Sequence, residues 1–90
     1  MKFMLQYTID PPMYKAAVAR FLQTGGLPPE GAKLLGRWNA GGQGWLLAES
    51  DSAKAIYEWT AQWADLIRFP VVTPVSEDEE TAAVLQKLNT

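Results

Sequence analysis

A cluster of glycines near the middle of the chain constrains the fold more than any other feature. The segment Ala40-Gly41-Gly42-Gln43-Gly44 separates two runs that are rich in Leu and Trp. Glycine reaches the positive φ angles that a tight turn requires, so a glycine-dense link between apolar runs is typical of a β-hairpin. We therefore predict two hairpin strands, at about Lys33–Ala40 and Gln43–Ser50.

Hydrophobic periodicity predicts a strand and a helix ahead of this hairpin. In Lys2–Ile9 every second residue from Phe3 to Ile9 is aromatic or aliphatic, and Met4, Gln6 and Thr8 point the other way, as in a half-buried strand. Asp10 followed by two prolines is typical of a helix start, with the Asp10 side chain as the cap. Apolar residues at helical spacing then predict a helix over Pro12–Gln23, which Thr24-Gly25-Gly26 ends.

The residues after the hairpin predict a second helix, a fourth strand and a short final helix. Ser50-Asp51-Ser52 supplies short hydrogen-bond acceptors for the start of a helix over Ala53–Ile67. The β-branched stretch Phe69–Val75 contains two prolines, which cannot donate to a strand ladder, so we place this strand at a sheet edge. Ser76-Glu77-Asp78-Glu79 has the spacing of a capping box and opens a helix that ends near Leu88.

The order of the predicted elements is typical of a ferredoxin-like α+β sandwich. Strand, helix, strand, strand, helix and strand form two split β-α-β units that the hairpin joins. In this βαββαβ topology strands one and three are central, strands two and four lie at the edges, and two helices cover one face of an antiparallel sheet. We predict one such domain over all 90 residues, with a short C-terminal helix added.

Strands two and three carry apolar side chains that are predicted to point to both faces of the sheet. In Trp45-Leu46-Leu47-Ala48 every residue is apolar, so neither face of strand three is polar. On strand two, regular alternation places Leu34 and Trp38 on one side and Leu35 on the other. An apolar side chain of this size left in water forfeits about 1.5–3 kcal/mol. Because helices cover only one face, we predict a homodimer in which two sheets pack face to face.

The composition argues against several classes of function. The chain has no Cys and no His, which removes thiolate chemistry, Cys-ligated metal centres and the usual general base at neutral pH. The formal net charge is −2, so no broad positive field attracts nucleic acid or anionic lipid. No apolar run approaches the ~18 residues of a membrane span, and the N-terminus lacks a signal-peptide pattern. We predict a cytoplasmic protein without a metal, a cofactor, a nucleic-acid partner or a membrane partner.

Six residues are candidates for a small binding pocket. They are Tyr7, Arg37, Trp38, Asn39, Trp45 and Glu49. Arg37 and Asn39 share a face because they lie two apart on a strand, and Arg37 could bind a carboxylate or phenolate while Trp38 or Trp45 stacks on an aromatic ligand. In the alternative interpretation Arg37 and Glu49 form a cross-strand ion pair, and both Trp side chains lie in the core or the dimer interface. Tyr7 could offer its hydroxyl to a ligand or be buried with a backbone partner.

Two further patterns have structural explanations. Trp59 and Trp63 lie four apart on the second predicted helix, and such a stripe is more typical of a core than of a cofactor site. The acidic run Glu77–Glu80 falls in the first turn of the last helix, where the helix dipole favours carboxylates.

Segments spread along nearly the whole chain are those of a known family. They are Met1-Lys2-Phe3-Met4, Tyr7-Thr8-Ile9, Phe21-Leu22-Gln23-Thr24-Gly25-Gly26, Lys33-Leu34-Leu35-Gly36-Arg37-Trp38, the run from Tyr57 to Leu66, and Val72-Thr73-Pro74-Val75. Through them the chain resembles short, mostly bacterial proteins of a domain of unknown function in the dimeric α+β barrel superfamily. The resemblance implies a ferredoxin-like protomer that forms a homodimer, and it implies no activity, because that family has none assigned. His often stands in the family where this chain has Asn39, and Asn cannot act as a base near neutral pH.

Several functions remain open at this point, and whether the protein is an enzyme is one of the open questions. The first is a homodimer that binds a small aromatic or acidic metabolite without chemistry. The second is a cofactor-independent monooxygenase- or isomerase-like enzyme, since the wider superfamily contains such enzymes; fold alone does not carry their function over. An RNA-recognition module shares the strand order, but Gln43–Ala48 supplies one aromatic residue and no charge where that module needs several aromatics and a basic residue.

Overall fold

The computed structural model describes residues 1–89 as an α+β arrangement of four strands and three α-helices. The elements are β1 (Lys2–Thr8), a 3-10 turn (Pro11–Met13), α1 (Tyr14–Thr24), β2 (Lys33–Asn39), β3 (Gln43–Glu49), α2 (Ala53–Trp63), β4 (Arg68–Val75) and α3 (Asp78–Leu88). The strands form an antiparallel sheet in the order β2-β3-β1-β4. This order is compatible with a ferredoxin-like fold, and it confirms that β1 and β3 are central and that β2 and β4 lie at the edges.

The predicted side-chain caps of the first and last helices are wrong. Asp10 makes no capping hydrogen bond; the chain first forms the 3-10 turn, and the Asp10 carboxylate accepts a hydrogen bond from Arg68 Nε at 3.1 Å. At the start of α3, Ser76 is hydrogen-bonded to Thr81 through the two hydroxyls, 2.6 Å apart, and Glu77 is the residue that precedes the helix. In both places a nearby side chain competes successfully for the group that would have capped the helix.

Helix α2 starts as predicted and ends earlier than predicted. The Ser52 hydroxyl accepts a hydrogen bond from the Ala55 N–H at 3.2 Å, which confirms the N-terminal cap. The helix ends at Trp63 rather than at Ile67, because the chain tightens there into a turn in which the Leu66 N–H donates to the Trp63 carbonyl at 3.0 Å.

The core lies between one face of the sheet and α2. Alternate residues of β1 and β3 are buried on this face, and Ile56, Trp59 and Trp63 of α2 pack against them. The sheet residues are Phe3, Leu5, Leu46 and Ala48. Trp59 and Trp63 are only 5% and 8% exposed, which confirms their prediction as core residues.

Helix α1 is attached to the rest of the protein mainly through polar contacts. Ala17 is its only buried residue. The Arg20 guanidinium donates to both carboxylate oxygens of Asp65, at 2.8 and 2.7 Å, and to the Gln62 carbonyl at 3.0 Å. The hydrogen bond from Arg20 lowers the pKa of the Asp65 carboxyl below its usual range. Because apolar packing beneath α1 is sparse, space remains between this helix and the sheet.

A β-bulge in β2 changes which side chains of that strand face the core. Leu34 lies opposite Ala48, but Gly36 already lies opposite Leu47, so Leu35 is an extra residue on the β2 side. After the bulge the alternation restarts with the opposite parity. Leu34 therefore packs against the core while Trp38, paired with Trp45, lies on the outer face of the sheet. The prediction that Leu34 and Trp38 share a face is wrong for this reason.

The outer face of the sheet carries an exposed pair of tryptophans. Trp38 is 59% exposed and Trp45 is 39% exposed. The Trp38 indole lies along the strand over Gly36, where a Cβ atom would come within 2.7 Å of the ring. Leu47 on this face is half-buried and Leu46 on the other is buried, which confirms that β3 presents apolar side chains on both faces.

Candidate functional site

A cavity of about 270 Å³ lies between α1, α2 and the core face of the sheet. Its lining is mostly apolar, and six aromatic side chains contribute to it. They are Tyr7, Tyr14, Phe21, Trp59, Trp63 and Phe69. Ligand pockets usually have volumes of about 300–1,000 Å³, and an engineered apolar cavity of about 150 Å³ binds benzene. A compound built on one aromatic ring therefore matches the size and the chemistry of this cavity.

Tyr7, Gly44 and Asn39 form a row across three strands at one end of the cavity. Tyr7 on β1 lies opposite Gly44 on β3, which in turn lies opposite Asn39 on β2. Because Gly44 has no side chain, the Tyr7 ring crosses over β3, and its hydroxyl donates to Asn39 Oδ1 at 2.6 Å. A Cβ atom at position 44 would lie 2.6 Å from Tyr7 Cζ. The glycine is thus required for a tyrosine that lies flat on the sheet and forms part of the cavity floor.

Arg37 reaches from β2 to the C-terminal end of α1. Its Nη1 donates to the Gly26 carbonyl at 2.8 Å and its Nη2 to the Gly25 carbonyl at 2.9 Å. The guanidinium carbon lies 4.8 Å from the centre of the Phe21 ring, in a cation–π contact. Gly25 has a φ of 73°, the left-handed conformation that ends many helices. Arg37 therefore lines the cavity and also anchors α1, where the helix dipole favours a cation.

Burial shifts the pKa values of Arg37 and Tyr7 at this end of the cavity. Burial lowers the pKa of the Arg37 guanidinium, because a charged group loses hydration there, and interaction with Tyr7 offsets part of the change. Burial also raises the pKa of the Tyr7 phenol, and Arg37 opposes that shift to a smaller extent. Tyr7 is therefore a neutral hydrogen-bonding group at neutral pH.

The structure brings together three of the six candidate residues. Tyr7, Arg37 and Asn39 all line the cavity, so Arg37 and Asn39 do share a face of the sheet. Trp38 and Trp45 lie on the opposite face, and neither can stack on a ligand inside the cavity.

Glu49 lies away from the other candidates. It is exposed at the far end of β3, opposite Lys33, and the cross-strand ion pair between Arg37 and Glu49 is not formed. The bulge and the hydrogen bonds to α1 turn Arg37 inwards instead.

The sequence predicts no binding role for several of the residues that line the cavity. Tyr14, Ala17 and Phe21 belong to the apolar stripe of α1, and Trp59 and Trp63 belong to that of α2. Helical spacing correctly predicts that these stripes face the sheet. The available signal for a cavity is weak: the central position of the α1 stripe is the small residue Ala17, which cannot fill the space beneath it.

Two other features bear on the kind of site. Across residues 1–89 no group of three or more acidic or metal-ligating side chains is arranged to hold a metal ion. No helix within the same residues has the length and apolar character needed to cross a membrane.

Comparison with known proteins gives one result. No curated protein and no solved structure matches the chain. The family profile described as domain of unknown function (DUF3303) matches residues 1–89. Since this match extends over every residue that the structure describes, the chain belongs to the DUF3303 family.

Proposed function

We propose that this protein is a cytoplasmic, single-domain homodimer of the dimeric α+β barrel type, which binds a small aromatic or acidic metabolite in the cavity between its helices and its sheet. The observation that carries this proposal is the cavity itself, which is about 270 Å³ in volume and has aromatic side chains on several sides. An apolar cavity with a few polar groups at one end is the usual form of a small-molecule site.

The lining of the cavity favours binding over catalysis. A monooxygenase- or isomerase-like reaction needs a group that abstracts or delivers a proton, and such a group has a pKa near the working pH. Among the described residues no Asp or Glu side chain lines the cavity, and the sequence has no His. The Tyr7 phenol has a raised pKa and its proton is engaged by Asn39. The cavity therefore offers positioning groups without a general base.

Filling the cavity from α1 is expected to abolish binding. Ala17 is 2% exposed and lines the cavity, so the larger side chain of Ala17→Leu would occupy the space a ligand needs. We expect the affinity for benzamide, a neutral one-ring probe, to fall at least about tenfold, a loss of about 1.4 kcal/mol. The measurement is an NMR titration that follows the indole N–H signals of Trp59 and Trp63.

The matched control for this variant is Ala19→Leu, which adds the same atoms to an exposed position of the same helix. It should bind benzamide as the wild type does. Binding that is unchanged in Ala17→Leu, or signals that move at Trp38 and Trp45 instead, would contradict the proposed site.

The outer face of the sheet supports the proposed dimer. Trp38 and Trp45 are paired across β2 and β3 on this face, and they are 59% and 39% exposed. Val71, at 38% exposure, extends the apolar surface onto β4, where it lies beyond Gln6 of β1. A second copy packed on this face would remove these side chains from water, at about 25 cal/mol for each Å² of apolar surface buried.

A charge on the outer face is expected to separate the dimer. Leu47 is half-buried between the neighbouring strands on this face, and Leu47→Glu would place a carboxylate in the middle of the proposed interface. Sedimentation velocity should give twice the 10.0 kDa chain mass for the wild type and the single chain mass for the variant. The control Leu22→Glu changes a residue of α1 that is 77% exposed, and it should remain dimeric. A wild type that sediments as one chain at micromolar concentration would exclude the dimer.

A further inference from the structure

We infer that the ligand is a planar aromatic anion, a one-ring carboxylate or phenolate whose charged group binds Arg37 and whose ring lies over the Tyr7 ring. This inference rests on the proposed function, because it specifies the ligand of the same cavity. It goes further by fixing the charge of the ligand and its orientation.

The first observation is that Arg37 has no carboxylate partner among residues 1–89. Its two hydrogen bonds go to the Gly25 and Gly26 carbonyls, and these use two of the five N–H groups of a guanidinium. The C-terminal dipole of a helix is equivalent to about half a negative charge, so the two carbonyls leave part of the Arg37 charge without compensation. Within residues 1–89 neither Asp nor Glu lines the cavity to supply the remainder.

Arg20, on α1, differs from Arg37 in having an acidic partner. Arg20 has a bidentate partner in Asp65 and lies outside the cavity lining. Both arginines are half-buried, but burial is the main effect on the pKa of Arg37, which it lowers, whereas the hydrogen bond to Asp65 raises the pKa of Arg20. A desolvated cation with N–H groups to spare attracts an anion, and a carboxylate matches the planar fork of a guanidinium.

The second observation is the flat floor beside Arg37. The Tyr7 ring lies across β3 over Gly44 and is held in that orientation by its hydrogen bond to Asn39. One face of the ring is against the strand, which leaves the other towards the cavity that it lines. Aromatic rings stack in offset arrangements on such surfaces, so a planar ring is better suited to this floor than a bulky aliphatic group.

The electrostatic interaction between Tyr7 and Arg37 connects the two observations. The Tyr7 hydroxyl is bonded to Asn39, which lies two residues from Arg37 on the same face of β2, so the phenol and the guanidinium lie near each other. The effect of each group on the pKa of the other agrees with this placement. A ring stacked on Tyr7 would therefore carry a substituent at its edge within reach of Arg37. A cavity of about 270 Å³ has room for a ring and one such substituent.

Three probes of nearly equal shape separate the contribution of charge from that of the ring. Benzoate is an anion, benzamide is neutral and benzamidinium is a cation, and all three are planar one-ring compounds. By NMR titration of the Trp59 and Trp63 indole signals we expect benzoate to bind at least about tenfold more tightly than benzamide, and benzamidinium to bind most weakly. The affinity for benzoate alone should fall as salt is added.

Two variants test the role of Arg37 directly. Arg37→Gln removes the charge, and the ratio of benzoate to benzamide affinity should fall to about one. Arg20→Gln removes the charge of an arginine that lies outside the cavity lining and should leave the ratio unchanged. Arg37→Lys keeps the charge but not the paired hydrogen bonds to Gly25 and Gly26. It should retain part of the preference for benzoate over benzamide, which separates recognition of the anion from anchoring of α1.

The outcomes distinguish this inference from the proposed function. If benzamide binds in the cavity as tightly as benzoate, or if Arg37→Gln keeps the preference, the anion inference is overturned while the binding function stands. If Arg37→Gln does not fold, the salt dependence of benzoate relative to benzamide in the wild type decides the question, and equal dependence overturns the inference. If none of the three probes moves the Trp59 and Trp63 signals, the proposed function fails with it.

Discussion

Trp59→Ala is expected to lower the free energy of unfolding by about 3–5 kcal/mol, the range observed when a large core aromatic is truncated. Trp59 is 5% exposed and packs in the cluster that joins α2 to the two central strands. Its loss would also enlarge the cavity that it lines, and few neighbouring side chains could move into the space left behind. Small domains have a total stability of about 5–15 kcal/mol, and the change is therefore large.

Urea denaturation followed by circular dichroism measures this effect. The control is Tyr57→Ala on the same helix, where the side chain is 74% exposed and the expected loss is within about 0.5 kcal/mol. If Trp59→Ala does not fold, the milder Trp59→Phe should still be less stable than the wild type. Equal stability of the Trp59 and Tyr57 variants would show that α2 does not pack as described.

Gly44→Ala is expected to cost about 3 kcal/mol, at the upper end for overpacking of a buried site. The added Cβ would lie 2.5 Å from the Trp38 carbonyl oxygen and 2.6 Å from Tyr7 Cζ. The backbone of β2 cannot move away without disturbing its pairing, so the Tyr7 ring must leave its place over β3. The hydrogen bond from Tyr7 to Asn39 would be lost as a result.

A double-mutant cycle with Tyr7→Ala tests this explanation. In the Tyr7→Ala background Gly44→Ala should cost less than in the wild type, because one of its two obstacles is gone, and the coupling should lie in the range of about 0.5–3 kcal/mol. Gly41→Ala serves as the control: apart from its chain neighbours, no atom of residues 1–89 lies within 4 Å of a Cβ there, and only the positive φ of 47° opposes the change, at about 1–2 kcal/mol. Strict additivity of the Tyr7 and Gly44 substitutions would show that the ring does not rest on the glycine.

Much of the fold follows from local patterns in the sequence. The glycines at 41, 42 and 44 predict the hairpin, and the prolines at 70 and 74 predict an edge position for β4. These predictions succeed because each depends on the conformational limits of one residue type at one place. The caps at Asp10 and Ser76 fail because other side chains, Arg68 in the first case and Thr81 in the second, bond to the same groups.

The candidate site was only partly predictable because it depends on contacts between distant parts of the chain. Strand alternation correctly predicts that Arg37 and Asn39 share a face of the sheet. The space above them depends on where α1 lies, and contacts such as that between Arg20 and Asp65, 45 residues apart in sequence, help to hold it there. A contact between residues so far apart in sequence leaves no local sequence pattern from which it could be predicted. Helical periodicity therefore identified Trp59 as a core residue without indicating that it also borders a cavity.

The bulge at Leu35 lets one short strand serve two structural purposes. Leu34 and Arg37 are three positions apart, a spacing that regular β pleating would send to opposite sides, yet Leu34 packs against the core and Arg37 lines the cavity. A chain that kept Leu35 but paired β2 with β3 without the bulge would have to choose between them: with Leu34 kept inside, the guanidinium would turn to the outer face, and with Arg37 kept inside, the leucine would leave its packing. Strand β2 thus joins folding and recognition because its pairing with β3 accommodates a surplus residue, so the register of the strand is as informative as its composition.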